Sequence, residues 1–245
     1  MHRRPNAGLI HEMGFEVTSM RAPAEPPVDR GARLRAFGPL GTAAFVVVAL
    51  LGPALQNLVG GLLVLVWRDA SDTPWSAIGY VRPENWFRTF TGGVAFGVVF
   101  KVAMKVLVMP LLGAPAVNPA YHYLAGNPTA VAAMAIYVVA AGGFSEETLY
   151  RGFLFERLET LLGSGAAAKA LVVLITSAWF AAVHYRDQGV PGVEQAAMTG
   201  LVFGTIFART GRIWMPMVAH AAIDLTALAI IYWNVELPMA HLVFR

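Results

Sequence analysis

Phe144-Ser145-Glu146-Glu147-Thr148-Leu149-Tyr150-Arg151-Gly152 sets two acids and an arginine inside an apolar stretch of the chain. Ionisable groups at membrane depth are unfavourable unless paired or hydrated, so such positions mark function by default. Residues four apart share a face of a helix. Glu147 and Arg151 can therefore pair along one helix, which keeps a guanidinium and a carboxylate together in lipid surroundings. Glu146 points about 100° away from that pair. A carboxyl held in low dielectric is suited to proton transfer near neutral pH. The bland reading is that both acids brace Arg151 and a neighbouring helix. Two adjacent acids facing different ways favour a site instead.

The surrounding composition supports a membrane setting. The 245 residues are 57% hydrophobic and 13% charged, whereas a soluble domain carries roughly one quarter charged residues. With no Cys, disulfides, thiolate nucleophiles and thiolate metal sites are excluded. The net charge is +3, with no basic run of the kind that binds nucleic acid. Arg3, Arg4, Arg21, Arg30, Arg33 and Arg35 are spread along a polar N-terminal segment, as in a cytoplasmic juxtamembrane tail. Residues 1–36, with Pro23, Pro26 and Pro27, are expected to be disordered. No cleavable signal peptide is expected, because the first apolar span starts near Phe37 and is too long for one.

About six apolar segments of membrane-spanning length follow. Residues 37–112 hold the first two, near 37–67 and 90–112, separated by a polar connector with Asp69, Asp72, Arg82, Pro83 and Glu84. A Gly/Pro/Asn loop over residues 113–128 leads to a core of four spans over residues 128–233, and residues 234–245 form a C-terminal tail. The third span carries the acidic stretch, and the others run near 167–184, 193–208 and 213–233. The expected fold is all-α, a polytopic transmembrane helical bundle. An even number of spans puts both termini on one face, and the first span's usual dominance makes that face cytoplasmic.

Two His-bearing segments lie downstream. Phe180-Ala181-Ala182-Val183-His184 ends the fourth span, where a His alone reads as interfacial. His220-Ala221-Ala222-Ile223-Asp224 lies about two turns inside the sixth span, where an Asp needs a reason. Asp224 shares a face with His220, and an acid accepting from one ring nitrogen fixes the tautomer of the other. At 1.5 Å per residue, Glu146, His220 and His184 lie roughly 16, 12 and 22 Å from the Arg157/Arg212 face. All three therefore fall within a hydrocarbon core about 30 Å thick, with tilt absorbing the spread. The opening is expected on the His184 side. Lys101 and Lys105, mid-span and four apart, read as snorkelling or facing a hydrated groove.

Glu146-Glu147-x-x-x-Arg151, Phe180-x-x-x-His184 and His220-x-x-x-Asp224, in that order, resemble the three motifs of the CAAX-processing and bacteriocin-processing (CPBP) intramembrane glutamic endopeptidases, formerly the abortive infection (Abi) family. Tyr150-Arg151-Gly152-Phe153-Leu154-Phe155 and the Gly-rich run before His220 agree with it, and the resemblance covers roughly the second half of the chain. It implies a metal-independent protease with Glu146 as general base, His184 helping to activate water, and His220 donating to the oxyanion. Glu147, Arg151 and Phe180 would shape and brace the site. Asp224 stands where related CAAX endopeptidases often carry Asn, and is assigned to orienting His220. The implied protein is a hydrolase in a prokaryotic cell membrane, acting on a membrane protein or lipidated peptide without a cofactor.

Two other readings stay open. A zinc site built from His184, His220 and one carboxylate lacks both Cys ligands and a His-Glu-x-x-His helix. A non-catalytic protein of the same fold would act in bacteriocin immunity, as a scaffold or in transport.

Overall fold

The computed structural model describes residues 29–54 and 57–244, and shows only helices and connecting turns among them. The all-α polytopic bundle expected from hydropathy is what the chain forms. Among the described residues, four helices are long and apolar enough to cross a membrane: α4 (Trp86–Leu111), α5 (Pro128–Leu162), α6 (Ala166–Thr210) and α7 (Trp214–Tyr232). Large apolar side chains such as Phe87, Val99 and Ile136 point outward. On a soluble surface they would promote association, whereas in lipid they face their own solvent.

Helix α6 turns back on itself. Gly189 adopts φ 62° and ψ −156°, a backbone conformation outside the helix that suits a residue without Cβ, and Pro191 follows it. Gly200 then lies against Ser177 and Gly204 against Val173, and the Lys169 ammonium donates to the Ala208 carbonyl. Residues 166–188 and 190–210 are thus two antiparallel arms, corresponding to the fourth and fifth apolar segments.

The first apolar segment departs from expectation. It is two short helices, α2 (Pro39–Ala54) and α3 (Asn57–Ala70), packed together rather than one crossing. At 1.5 Å per residue they measure about 24 and 21 Å, short of a hydrocarbon core about 30 Å thick. Gly52 and Gly60 bring the two backbones together, for a Cβ on Gly52 would lie 3.1 Å from the Gly60 Cα. Both glycines rest against Leu149 of α5. Hydropathy registers apolar length but not a reversal of direction, so the hairpin read as one span.

That hairpin also holds the first described helix at one end of the bundle. A short helix, α1 (Arg30–Arg35), starts at Asp29, whose carboxylate accepts from the Gly31 and Ala32 amides. The Arg35 guanidinium donates to the Ser71 carbonyl at the end of α3. Here Arg157, near the C-terminal end of α5, lies 4.3 Å from the Phe37 ring and 5.5 Å from the Trp67 ring. At the opposite end of α5, the Gly126 amide donates to the Tyr232 carbonyl and the Asn118 amide donates to Glu236 of α8 (Glu236–Ala240). Among the described residues, helices α1 and α8 therefore sit at opposite ends of the bundle, against the expectation that the segments leading to both termini share a face. Residues 30–35 of the polar tail are likewise helical rather than disordered, while its residues 1–28 lie outside the described residues. The C-terminal tail is anchored through the buried Glu236.

Candidate active site

Helix α5 carries the acidic stretch in wide, π-helical turns, Val139–Glu146 and Thr148–Phe153. Such turns are uncommon and concentrate at functional sites. Small residues precede the acids, and Gly143 packs directly on Ala221 and the Met217 carbonyl of α7. A side chain at Gly142 would collide with Asp224, its Cβ 2.5 Å from Oδ2 and 3.5 Å from His220 Nε2. The glycines therefore let α7 deliver His220 and Asp224 to the level of Glu146. From the other side, the Ser145 hydroxyl accepts from the Gly61 amide at 2.6 Å and donates to the Leu58 carbonyl, docking the α2–α3 hairpin behind the acids.

Glu147 and Arg151 form the expected i,i+4 pair, 2.9 Å apart and at most 2% exposed. The same Glu147 Oε1 lies 2.6 Å from His220 Nδ1. Because a carboxylate only accepts, Nδ1 carries the proton there and Nε2 is turned the other way. That nitrogen faces Glu146 Oε2 at 3.6 Å and Asp224 Oδ2 at 3.7 Å. The orienting contact expected from Asp224 is thus made by Glu147; an i,i+4 spacing on α7 indicated a shared face but not which acid on α5 stood closer.

Phe180 packs these groups together. Its ring is 4.9 Å from the Arg151 guanidinium, 4.9 Å from the Tyr150 ring, 4.6 Å from His184 and 5.9 Å from His220. His184 Nδ1 donates to the Phe180 carbonyl at 2.7 Å. In the neutral ring that bond leaves Nε2 as an acceptor. Glu146, His184, His220 and Asp224, from three helices, all line one cavity of about 660 Å³. The cavity reaches Arg186 and Asn118 at the end of the bundle predicted to hold the opening.

The fold also supplies groups that the motifs did not mark. Arg151 donates to the Thr199 and Gly200 carbonyls at 3.5 Å, and the Phe203 ring lies 5.6 Å from the Arg151 guanidinium and meets His220 edge-to-face at 5.9 Å. Gln195, a lone amide in an apolar segment, was the legible signal on that arm. Lys101 and Lys105 line the cavity, in keeping with a hydrated groove. Among the described residues no three His, Cys, Asp or Glu side chains converge in the manner of metal ligands. A metal here would have to use Nε2 of His184 and of His220, since both Nδ1 atoms are engaged.

Residues 128–226 match the family model described as type II CAAX prenyl endopeptidase Rce1-like. That segment, about two fifths of the chain, is similar to an Rce1-like domain. No curated protein and no solved structure shows significant similarity to the chain. The matched segment takes in α5, both arms of α6 and most of α7, and so contains Glu146, Glu147, Arg151, Phe180, His184, His220 and Asp224. Its match supports a CAAX-type, protease-like function, and with the four apolar helices it makes the chain an integral membrane protein.

Proposed function

We propose that the chain is a metal-independent glutamic endopeptidase that hydrolyses a peptide bond of a membrane protein or lipidated peptide within the bilayer of a prokaryotic cell. The observation that carries this reading is the approach of Glu146 to His220 Nε2 at 3.6 Å, on the wall of a cavity that His184 also lines. Glu146 takes a proton from water, assisted by the acceptor Nε2 of His184. The water oxygen adds to the scissile carbonyl carbon. The carbonyl oxygen becomes an oxyanion that receives a hydrogen bond from His220 Nε2, which requires the imidazolium form. When the carbon–nitrogen bond breaks, the proton held by Glu146 passes to the leaving amine. Glu147 and Arg151 hold the His220 ring in place and touch no substrate. Asp224 forms the wall opposite Gly142.

The test uses purified full-length protein and an S-farnesyl peptide with a Cys-aliphatic-aliphatic-X end. Cleavage should survive a zinc chelator and fall about 10²–10⁴-fold in Glu146→Gln, the scale of a lost general base. Equal cleavage by Glu146→Gln ends the glutamic assignment. Chelator inactivation reversed by zinc ends the metal-free one.

A further inference from the structure

Beyond the acids and imidazoles, the same cavity holds a cation whose purpose the hydrolytic scheme does not explain. Lys101 lies on α4, which packs closely along α7: Gly97 abuts Ala219 and Ala222, and Gly93 abuts Val218. The register continues by one turn, setting Lys101 level with Asp224 and one turn beyond His220. Its ammonium donates to Gln195 Oε1 at 2.8 Å, a neutral amide. Among the described residues no carboxylate lies within 4 Å of it, whereas the neighbouring Lys105 is matched by Glu236 at 3.5 Å and by the Ala116 carbonyl. An ammonium has three donors. Lys101 uses one of them on the protein and faces the cavity that holds the proposed chemistry.

Resting on that functional reading, the geometry points to Lys101, held by Gln195, as a subsite for a carboxylate on the leaving-group side of the substrate, namely the free α-carboxylate of its C-terminus. The α-carboxylate is the only anion that every peptide backbone carries, and it always lies C-terminal to the bond being cut. From His220 to Lys101 the span is one to two helical turns, roughly 5–11 Å, which an extended chain covers in a few residues. An acidic side chain in the same place offers the same chemistry from a second source.

The test measures peptide affinity on Glu146→Gln protein, where turnover does not interfere, and cleavage on the protein with Glu146 intact. Three versions of the farnesyl peptide are compared: free acid, C-terminal carboxamide, and carboxamide with Asp as the last residue. The acid should bind about tenfold or more tightly than the amide, the scale of one charge-assisted hydrogen bond. Adding Lys101→Met should bring the two within about twofold by weakening the acid alone, and Lys101→Arg should keep most of the preference. Recovery of tight binding by the Asp-amide, lost in Lys101→Met, supports the subsite and assigns it to a side-chain carboxylate as well. Equal binding of acid and amide overturns the proposal, as does a preference that persists in Lys101→Met. So does a Lys101→Met effect that weakens both peptides alike, which marks Lys101 as a counter-ion for Asp224. If Lys101→Met fails to fold, the acid–amide comparison and Lys101→Arg still decide. Absence of cleavage with the acid preference intact defeats the functional reading and leaves the subsite standing.

Discussion

Replacing Glu147 by Gln keeps the volume of the side chain and removes its charge. The loss falls on two partners at once, Arg151 Nη1 at 2.9 Å and His220 Nδ1 at 2.6 Å. Arg151 is 2% exposed and its other contacts are carbonyls at 3.5 Å and two ring faces, so among the described residues no second carboxylate within 4 Å takes up the charge. Breaking a buried pair from one side costs about 3–5 kcal/mol, because the surviving charge stays in low dielectric. Removing both charges restores the Arg151 share of that, since no unpaired guanidinium is then left in low dielectric. The double variant Glu147→Gln/Arg151→Met should therefore be less destabilised than the sum of its singles by about 2 kcal/mol or more. Unfolding of the purified protein in detergent micelles, followed by Trp fluorescence, reads this as a midpoint lowered by roughly 6–20 °C in Glu147→Gln at 2–4 °C per kcal/mol. Additive singles, or a Glu147→Gln shift below about 2 °C, would refute the buried-pair reasoning. Activity should fall in Glu147→Gln as well, because His220 loses the acceptor that orients its ring.

Further outcomes follow from the close packing around the site. Gly142→Ala should leave stability nearly unchanged while lowering kcat by about 10²-fold, because its Cβ must displace the Asp224 carboxylate while crowding His220, and a misplacement near 1 Å costs that much; unchanged kcat with correct folding would contradict the close approach of α5 and α7. Gly61→Ala places a Cβ 2.6 Å from the Ser145 hydroxyl, and should destabilise the hairpin by about 1–3 kcal/mol in the same unfolding assay. Outside the membrane spans, burial pushes the Tyr80 phenol up to about 12, against a lowering by its hydrogen bond to Thr148. The unfolded chain releases that proton near pH 10 and the folded one near 12, so Tyr80 adds stability that is present below about pH 10 and lost as pH climbs to 12. Tyr80→Phe should flatten the fall in stability across that window, and an identical alkaline profile would show the phenol to be solvent-exposed.

The motif residues were legible because lipid makes buried charge conspicuous. Glu146, Glu147, Arg151, His184, His220 and Asp224 stood out against apolar text, and their helical spacing gave the faces that later met. Partner choice was not legible in the same way. Whether His220 leans on Asp224 along its own helix or on Glu147 across to α5 depends on how closely α5 and α7 pack, and Gly142 and Gly143 set that distance without any charge to announce it. The α2–α3 hairpin escaped for a related reason: a change of direction between two helices that pack Gly52 on Gly60 leaves mean apolarity intact. The reversal at Gly189 was accessible because polar Arg186, Asp187 and Gln188 interrupt the apolar text there.

The proposed function requires Glu146 to act in the chemistry and not merely in the architecture of the cavity. The direct measurement pairs the Kd of Glu146→Gln for the farnesyl peptide with its single-turnover cleavage rate, enzyme in excess. Glu146→Gln should show a Kd within a few-fold of the unsubstituted protein's and a cleavage rate lower by about 10²-fold or more. A rate reduced only in proportion to weakened binding, or not reduced at all, would contradict the proposed function.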